Sequence, residues 1–109
     1  MKTWMVYFTA GTLTEARKIG REVVRQRLAA CVNILGGIRS IYRWRGVVED
    51  GREVAVLVKT SARRVKKLIV AIQARHSYEV PCIVAWLLTK GHAPFMEWIA
   101  AETQAGGKG

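Results

Sequence analysis

The order of two periodic patterns restricts this chain to very few folds. In two stretches apolar residues recur at the spacing of an α-helix, and each stretch lies between segments typical of β-strands. A strand is predicted over Thr3–Ala10, and Pro94 marks the start of a short last helix. The resulting order is β-α-β-β-α-β-α. We therefore predict an α+β fold, a ferredoxin-like split βαβ sandwich plus a C-terminal helix, with two helices covering one face of the sheet.

Local signals indicate where the first helix begins and which side of it is buried. Thr12 is followed three residues later by Glu15, the pattern of a capping box. An apolar stripe at helical spacing follows, formed by Ala16, Ile19, Val23 and Val24. These residues predict a capped amphipathic helix that packs on the sheet.

Glycines and a serine indicate the remaining boundaries. Gly36 and Gly37 interrupt an extended stretch and predict a bulge in one long strand rather than a hairpin. Asp50-Gly51 is a type I′ turn signal and predicts the hairpin turn before the third strand. Ser61 is predicted to cap the second helix.

Length and cysteine content indicate one reduced domain. The chain has 109 residues, half of them hydrophobic, which suits a single domain over 1–104 with a flexible tail at 105–109. Its two cysteines are too few for a disulfide framework. No apolar stretch approaches the roughly 18 residues of a membrane span. We expect a cytoplasmic protein with no membrane partner.

The charge of the chain raises the possibility of a nucleic-acid partner. Eighteen Lys and Arg residues against eight Asp and Glu leave a formal charge of +10. Most basic residues, however, lie in the predicted helices, where charges usually cover the solvent face. The third strand, REVAVLVKT, has no aromatic residue for base stacking of the kind RNA-recognition domains use. No specific nucleic acid is expected.

The stretch RHSYEVPC combines metal-ligand and acid–base side chains, yet it matches no ligand spacing of known geometry. His76 is predicted at the end of the second helix, where it could interact with the last carbonyl groups. Cys82 lies in the segment 80–91, which is apolar on both faces and predicts a buried central strand or an interface strand. Cys82 is therefore expected in the core. No catalytic motif is present, so no enzyme activity is expected.

The second strand carries a polar and aromatic face. Strand alternation places Cys31 with Asn33 and, beyond the glycines, Ser40 with Tyr42 and Trp44. Such a face is typical of a pocket or an interface. The alternative is that these aromatic residues pack on an ordinary core.

The motifs LAACVNILGGIRSIYRWRG, VLVKT, HSYEVPCIVAW and FMEWI together closely resemble the CutA family of divalent-cation tolerance proteins, from about Tyr7 to Glu102. The resemblance implies a fold related to the PII signalling proteins, a homotrimer, no catalysis, and a part in tolerance to copper and other divalent metal ions. At two positions where some relatives offer a cysteine and a second histidine, this sequence has Phe8 and Arg75. The metal ligand that carries over is His76.

The resemblance also implies a cleft between subunits. The residues predicted to line this cleft or the interface are Cys31, Asn33, Tyr42, Trp44, Lys59, Tyr78, Glu79 and Trp98. Weak binding of a divalent ion such as copper is expected there. The alternative is a PII-like regulatory module whose cleft holds a small anionic ligand, with Lys59 or Arg75 as the anion partner.

Overall fold

Seven elements follow one another in the predicted order. The structure is a computed structural model that describes residues 2–104. The elements are β1 (Thr3–Ala10), α1 (Leu13–Arg25), β2 (Cys31–Trp44), β3 (Val47–Ser61), α2 (Val65–Arg75), β4 (Ile83–Leu88) and α3 (Ala93–Glu102). The sheet has the strand order β2-β3-β1-β4, and all neighbours are antiparallel. The split βαβ prediction is confirmed, whereas the predicted flexible tail at 105–109 lies outside the described residues.

The first helix begins where its cap was predicted. The Thr12 hydroxyl accepts a hydrogen bond from the Glu15 amide at 3.1 Å. The Glu15 carboxylate reaches the Gly11 amide at 3.4 Å rather than returning to Thr12. Ala16, Ile19 and Val23 are buried, but Val24 is 39% exposed, so the predicted stripe is one residue too wide.

The core lies between the helices and one face of the sheet. From β1 and β3 it receives Val6, Phe8, Val56 and Val58, all fully buried. The helices add Ile19, Val23, Leu68 and Ile72. Since side chains alternate along a strand, the intervening residues Met5, Tyr7, Leu57 and Lys59 lie on the opposite face of the sheet, called the open face here.

The bulge prediction is confirmed, and the turn prediction is wrong. The register between β2 and β3 shifts between Ile34 and Gly36, where Gly36 has a φ of 97°. The chain reverses at Arg45-Gly46, with φ values of 50° and 83°, as a type I′ turn requires. Asp50 and Gly51 lie inside β3. A turn at Asp50-Gly51 would oppose Ile41 to Thr60, so the earlier residues of β2 would face helix α2 instead of a strand.

The β2–β3 hairpin therefore extends well beyond the rest of the sheet. Strand β1 pairs with β3 only from Val54 to Ser61. Residues 38–53, called the arm here, pair only within the hairpin. The arm carries exposed apolar side chains, among them Ile41 at 69% and Val48 at 58%.

Two further predictions need correction at the ends of the sheet. Ser61 ends β3 and does not cap α2, whose N-cap residue is Arg64 with no side-chain cap. Ser61 is buried and accepts a hydrogen bond from the Thr103 hydroxyl at 2.8 Å, which ties α3 to the Ser61 end of the open face. The open face is therefore partly covered by a helix of the same chain.

Strand β4 is an edge strand and not a buried central strand. In the described sheet it pairs only with β1. Val84 is 52% exposed and Trp86 45% exposed, and Cys82 is exposed as well. The prediction that Cys82 lies in the core is wrong, because the open face at this position has no helix above it. The other half of the prediction, an interface strand, stays a prediction.

Candidate functional site

A cleft of about 890 Å³ lies on the open face, and we call it the open-face cleft. Strand β1 forms its floor, the arm forms one wall, and the segment between α2 and β4 forms the other. Its lining residues are Tyr7, Thr9, Arg39, Ser40, Ile41, Tyr42, Trp44, Glu53, Tyr78, Glu79, Val80, Pro81 and Cys82. This volume falls in the range that holds small molecules.

Tyr78 bonds one of the two carboxylates that line this cleft. The Tyr78 hydroxyl donates a hydrogen bond to Glu53 Oε2 at 2.9 Å. Burial, that hydrogen bond and the negative charge of Glu53 raise the pKa of Tyr78 to about 12. Burial, followed by neighbouring acidic groups that include Glu53, also raises the pKa of Tyr7 and of Cys82. Burial is the first cause of each raised pKa, and the charge of Glu53 adds to it in all three.

Cationic side chains near the rim are engaged in ion pairs. Arg45 bonds Glu79 at 2.7 Å and also lies over the Trp44 ring, 5.0 Å from its centroid. Arg39 bonds Asp50 at 2.8 Å. These pairs are exposed, so each contributes little to stability, but they offset the positive charge beside the cleft.

His76 lies behind Tyr78, and its side chain is fully buried. It ends α2 as its C-cap residue, as predicted. The Tyr78 amide donates to His76 Nδ1 at 3.1 Å, so the ring proton is on Nε2, which donates to the Thr9 carbonyl at 2.7 Å. Both nitrogens are therefore occupied. The prediction that His76 binds a metal stays a prediction, and an ion would have to displace one of these bonds.

Glu15 connects the start of α1 to the His76 segment. Its carboxylate accepts hydrogen bonds from the Ser77 amide at 2.7 Å and the Ser77 hydroxyl at 3.0 Å. Burial alone raises the pKa of Glu15, but the hydrogen bonds from Ser77 and the Gly11 amide outweigh it and hold the pKa below its usual value. The Glu15 contacts thus help to position His76 and Tyr78.

The structure divides the predicted cleft residues into two groups. Tyr42, Trp44, Tyr78 and Glu79 line the open-face cleft. The others lie outside its lining, towards the end of the sheet where α3 packs: Cys31, Asn33, Lys59 and Trp98. The two groups are far apart, because each residue of a strand adds about 3.3 Å and eleven positions separate Cys31 from Tyr42.

The second group forms a cluster of its own. Lys59 Nζ donates to Asn33 Oδ1 and lies 6.0 Å from the centroid of the Phe95 ring. Phe95 stacks on Trp98 with ring centroids 5.6 Å apart. Lys59 therefore already has contacts at this end of the sheet, away from the cleft.

The other nine lining residues were not among the predicted cleft residues, namely Tyr7, Thr9, Arg39, Ser40, Ile41, Glu53, Val80, Pro81 and Cys82. Strand alternation could have indicated Glu53, since Val54, Val56 and Val58 pack on the core side of the sheet and Glu53 lies on the opposite face. Alternation could also have indicated Tyr7 and Thr9, because they flank Phe8, which faces the core. Alternation does not give the distance between the arm and the segment before β4, and that distance decides whether these residues line one cleft.

The anionic-ligand alternative concerns a cleft between subunits and stays a prediction, and Arg39 is the cation that lines the open-face cleft of one chain. Lys59 and Arg75 do not line the open-face cleft. Arg75 instead bonds Glu22 of α1 at 3.2 Å, on the helical side of the sheet.

Two findings on residues 2–104 concern metal ions and membranes. No group of three or more His, Cys, Asp or Glu side chains within that range is arranged to hold a metal ion. No helix within it is long and apolar enough to cross a membrane.

Comparisons with known proteins agree on one family. The family profile described as CutA1 divalent ion tolerance protein matches residues 4–102. The divalent-cation tolerance protein CutA of Thermus thermophilus is 40% identical over 99 residues, which cover 91% of this chain and 96% of that protein. The crystal structure of CutA from Xylella fastidiosa superposes with a TM-score of 0.92 at 35% identity, covering 95% of this chain and 100% of that one.

A plant relative is longer. The chloroplastic CutA protein of Arabidopsis thaliana is 34% identical over 100 residues, which cover 92% of this chain but only 55% of that protein. This chain thus spans a little over half the length of that relative.

Proposed function

Because this chain belongs to the CutA1 divalent ion tolerance family, we propose that it acts in tolerance to copper and other divalent ions by binding them weakly, without catalysing a reaction. The observation that carries this proposal is the pair formed by His76 Nδ1 and Glu15 Oε2, which are 3.6 Å apart. Two donors about 2.0–2.2 Å from one tetrahedral ion stand about 3.3–3.6 Å from each other.

Two features keep such binding weak. The pair supplies two donors, whereas a stable site needs at least three from the protein. An ion at Nδ1 must also displace the hydrogen bond from the Tyr78 amide. Imidazole and carboxylate suit copper among the divalent ions, so copper is the preferred probe.

Titration calorimetry with copper tests this proposal on three proteins. Wild type should bind weakly, His76→Ala should lose that binding, and His92→Ala should retain it. His92 is the matched control, since it is the other of the two histidines and is exposed at the start of α3. Equal binding by the two variants, or no binding by wild type, would remove His76 from the proposal.

We also propose that the protein is a homotrimer. Strand β4 pairs with β1 on one side, and its other side has no strand partner among residues 2–104. That edge carries the exposed Trp86, and the arm carries exposed Ile41 and Val48. Unpaired apolar edges of this kind are normally covered by another chain. Light scattering should give about three times the 12.2 kDa of one chain; a monomer would contradict the proposal.

The absence of catalysis and a cytoplasmic location belong to the same proposal. The exposed thiol of Cys82 has a raised pKa, the opposite of what a nucleophilic cysteine needs. The Arabidopsis relative is named as chloroplastic, so the location of this protein requires its own measurement. Fractionation of source cells with an antibody to the chain should find it in the cytoplasmic fraction.

A further inference from the structure

We propose that the outer face of α1 and α2 binds double-stranded nucleic acid through its phosphate backbone, without reading the base sequence. We call this surface the helical face, and its exposed cations are Arg17, Lys18, Arg21, Arg63, Lys66 and Lys67. It lies on the side of the sheet opposite the open face and does not include His76. Failure of this proposal would therefore leave the proposed metal binding untouched.

The spacing of the cations places them on the outside of the two helices. In α1, Lys18, Arg21 and Arg25 follow one another at intervals of three and four residues, so they share one side of the helix. The buried residues of α1 form the opposite side. In α2, Lys67 lies on the same side as Val70, which is 62% exposed. Both helices therefore direct positive charge towards solvent.

The acidic residues of these helices do not interrupt this surface. Helix α1 contains two of them, Glu15 and Glu22, and α2 contains none. Glu15 bonds Ser77, and Glu22 bonds both Arg25 and Arg75. The two glutamate side chains are only 17% and 24% exposed. Their charges are already offset within the protein, so the charge that faces solvent has one sign.

The cations of the helical face differ from the other cations near the two helices, which have partners. Arg27 and Arg64 donate to carbonyl groups at the end of α3. Among residues 2–104, no ion pair involves any of the six cations of the helical face. Protein surfaces usually intersperse both signs of charge, whereas a surface of one sign attracts a polyanion.

The shape of the helical face suits a duplex. Helices α1 and α2 lie side by side, joined by the bond between Arg75 and Glu22, and α1 has 13 residues and a length of about 20 Å. A duplex carries one phosphate charge per about 1.7 Å of its axis, so several phosphates lie within that length. The assembly proposed above engages the arm and the β4 edge, which leaves α1 and α2 on the outside.

Two other polyanions fit this surface less well. Binding of single strands relies on bases that stack on aromatic rings, and neither α1 nor α2 contains an aromatic residue. A helix on a membrane surface inserts a continuous apolar face. The large apolar side chains exposed on these helices are Leu13, Val24 and Val70, and the first two lie about 16 Å apart along α1. They do not form a continuous apolar face.

Fluorescence anisotropy with a labelled DNA duplex tests the proposal on the full-length protein, with EDTA present so that no metal ion bridges the two. Binding should be saturable at low salt, and a duplex of different sequence should bind equally well. If three or more phosphates are neutralised, a fivefold rise in salt should weaken the affinity about 80-fold or more. Absence of saturable binding at low salt, or an affinity that does not depend on salt, would overturn the proposal.

Variants of matched charge then locate the binding. Arg21→Glu on α1 and Lys67→Glu on α2 should each weaken duplex binding about tenfold or more at low salt, since each replaces an attraction with a repulsion. Lys90→Glu, in the exposed segment between β4 and α3, changes the net charge equally and should stay within about twofold of wild type. Equal weakening by all three variants would assign the binding to net charge and refute the helical face. Circular dichroism checks the fold of each variant, and either helix variant suffices for the test.

Competition separates the duplex from the two other polyanions. An unlabelled single strand and phosphatidylserine vesicles, each at the same phosphate concentration as the labelled duplex, should displace less than half of it. Displacement of more than half by the single strand would indicate base stacking. Displacement of more than half by the vesicles would indicate an anionic membrane. Either result would refute the assignment of a duplex.

Discussion

Replacing Glu15 with alanine should destabilise this protein far more than replacing an exposed glutamate. The carboxylate holds the start of α1 to the segment after α2 through the Ser77 amide at 2.7 Å and the Ser77 hydroxyl at 3.0 Å. The Glu15 side chain is only 17% exposed, so water replaces these bonds poorly. The same contacts position His76 and Tyr78 beside the open-face cleft.

The magnitude follows from the two short bonds. A hydrogen bond to a charged group contributes about 1.5–3 kcal/mol, and Ser77 is itself exposed, so its donors regain water when the carboxylate is removed. We therefore expect Glu15→Ala to lower the free energy of unfolding by about 2–4 kcal/mol. Glu15→Gln keeps one acceptor oxygen, and about 1–2 kcal/mol should be lost.

The contribution of Glu15 to stability should decrease at acidic pH. The pKa of Glu15 in the folded protein lies below its usual value. Its contribution is therefore fully present above the pKa of the unfolded chain and is lost as the pH falls through the folded pKa. Glu15→Gln has no such group, so the stability difference between wild type and this variant should shrink on acidification below the usual value of 4.5.

Urea unfolding followed by circular dichroism measures these differences, at one protein concentration because the proposed assembly would make stability depend on concentration. Glu97→Gln, on the exposed side of α3, is the control and should stay within about 0.5 kcal/mol of wild type. Glu15 does not anchor this segment if Glu15→Ala also stays within that margin, or if the difference between wild type and Glu15→Gln is the same at acidic and neutral pH.

Three further predictions concern the core, the turn and the cleft. Leu68→Ala removes a fully buried side chain and should cost about 2–5 kcal/mol in urea unfolding; a smaller loss would mean that the core collapses around the cavity. Gly46→Ala should lower the free energy of unfolding by about 1 kcal/mol, because Gly46 has a φ of 83° that alanine avoids. Gly51→Ala should cause no such loss. A larger loss at Gly51 than at Gly46 would indicate that the turn is at Asp50-Gly51. The phenolate absorbance of wild type minus that of Tyr78→Phe should titrate near a pKa of about 12, and Glu53→Gln should move it towards the usual 10.0; an unmoved titration would contradict the Glu53 contact.

Features that depend on short-range physics could be predicted from the sequence. The Thr12 cap of α1 was predictable because a hydroxyl three residues before an amide reaches that amide directly. The bulge was predictable because Gly36 adopts a φ of 97° that other residues avoid. The order of the elements followed from apolar spacing, and with it the split βαβ topology.

Features that depend on pairing between distant segments could not be predicted from the sequence. The chain turns at Arg45-Gly46 and not at the predicted Asp50-Gly51, because the earlier turn lets the whole of β2 pair with β3. Cys82 was expected in the core, yet an edge strand with no helix above it leaves the thiol exposed.

The candidate site shows the same division. The motif around His76 was visible in the sequence, but the Thr9 carbonyl that binds its ring lies 67 residues away along the chain. The cleft residues come from β1, the arm and the segment before β4, and their proximity depends on how far the arm extends. Alternation along a strand assigns each residue to a face, but the distance between faces of separate segments exists only once the sheet has formed.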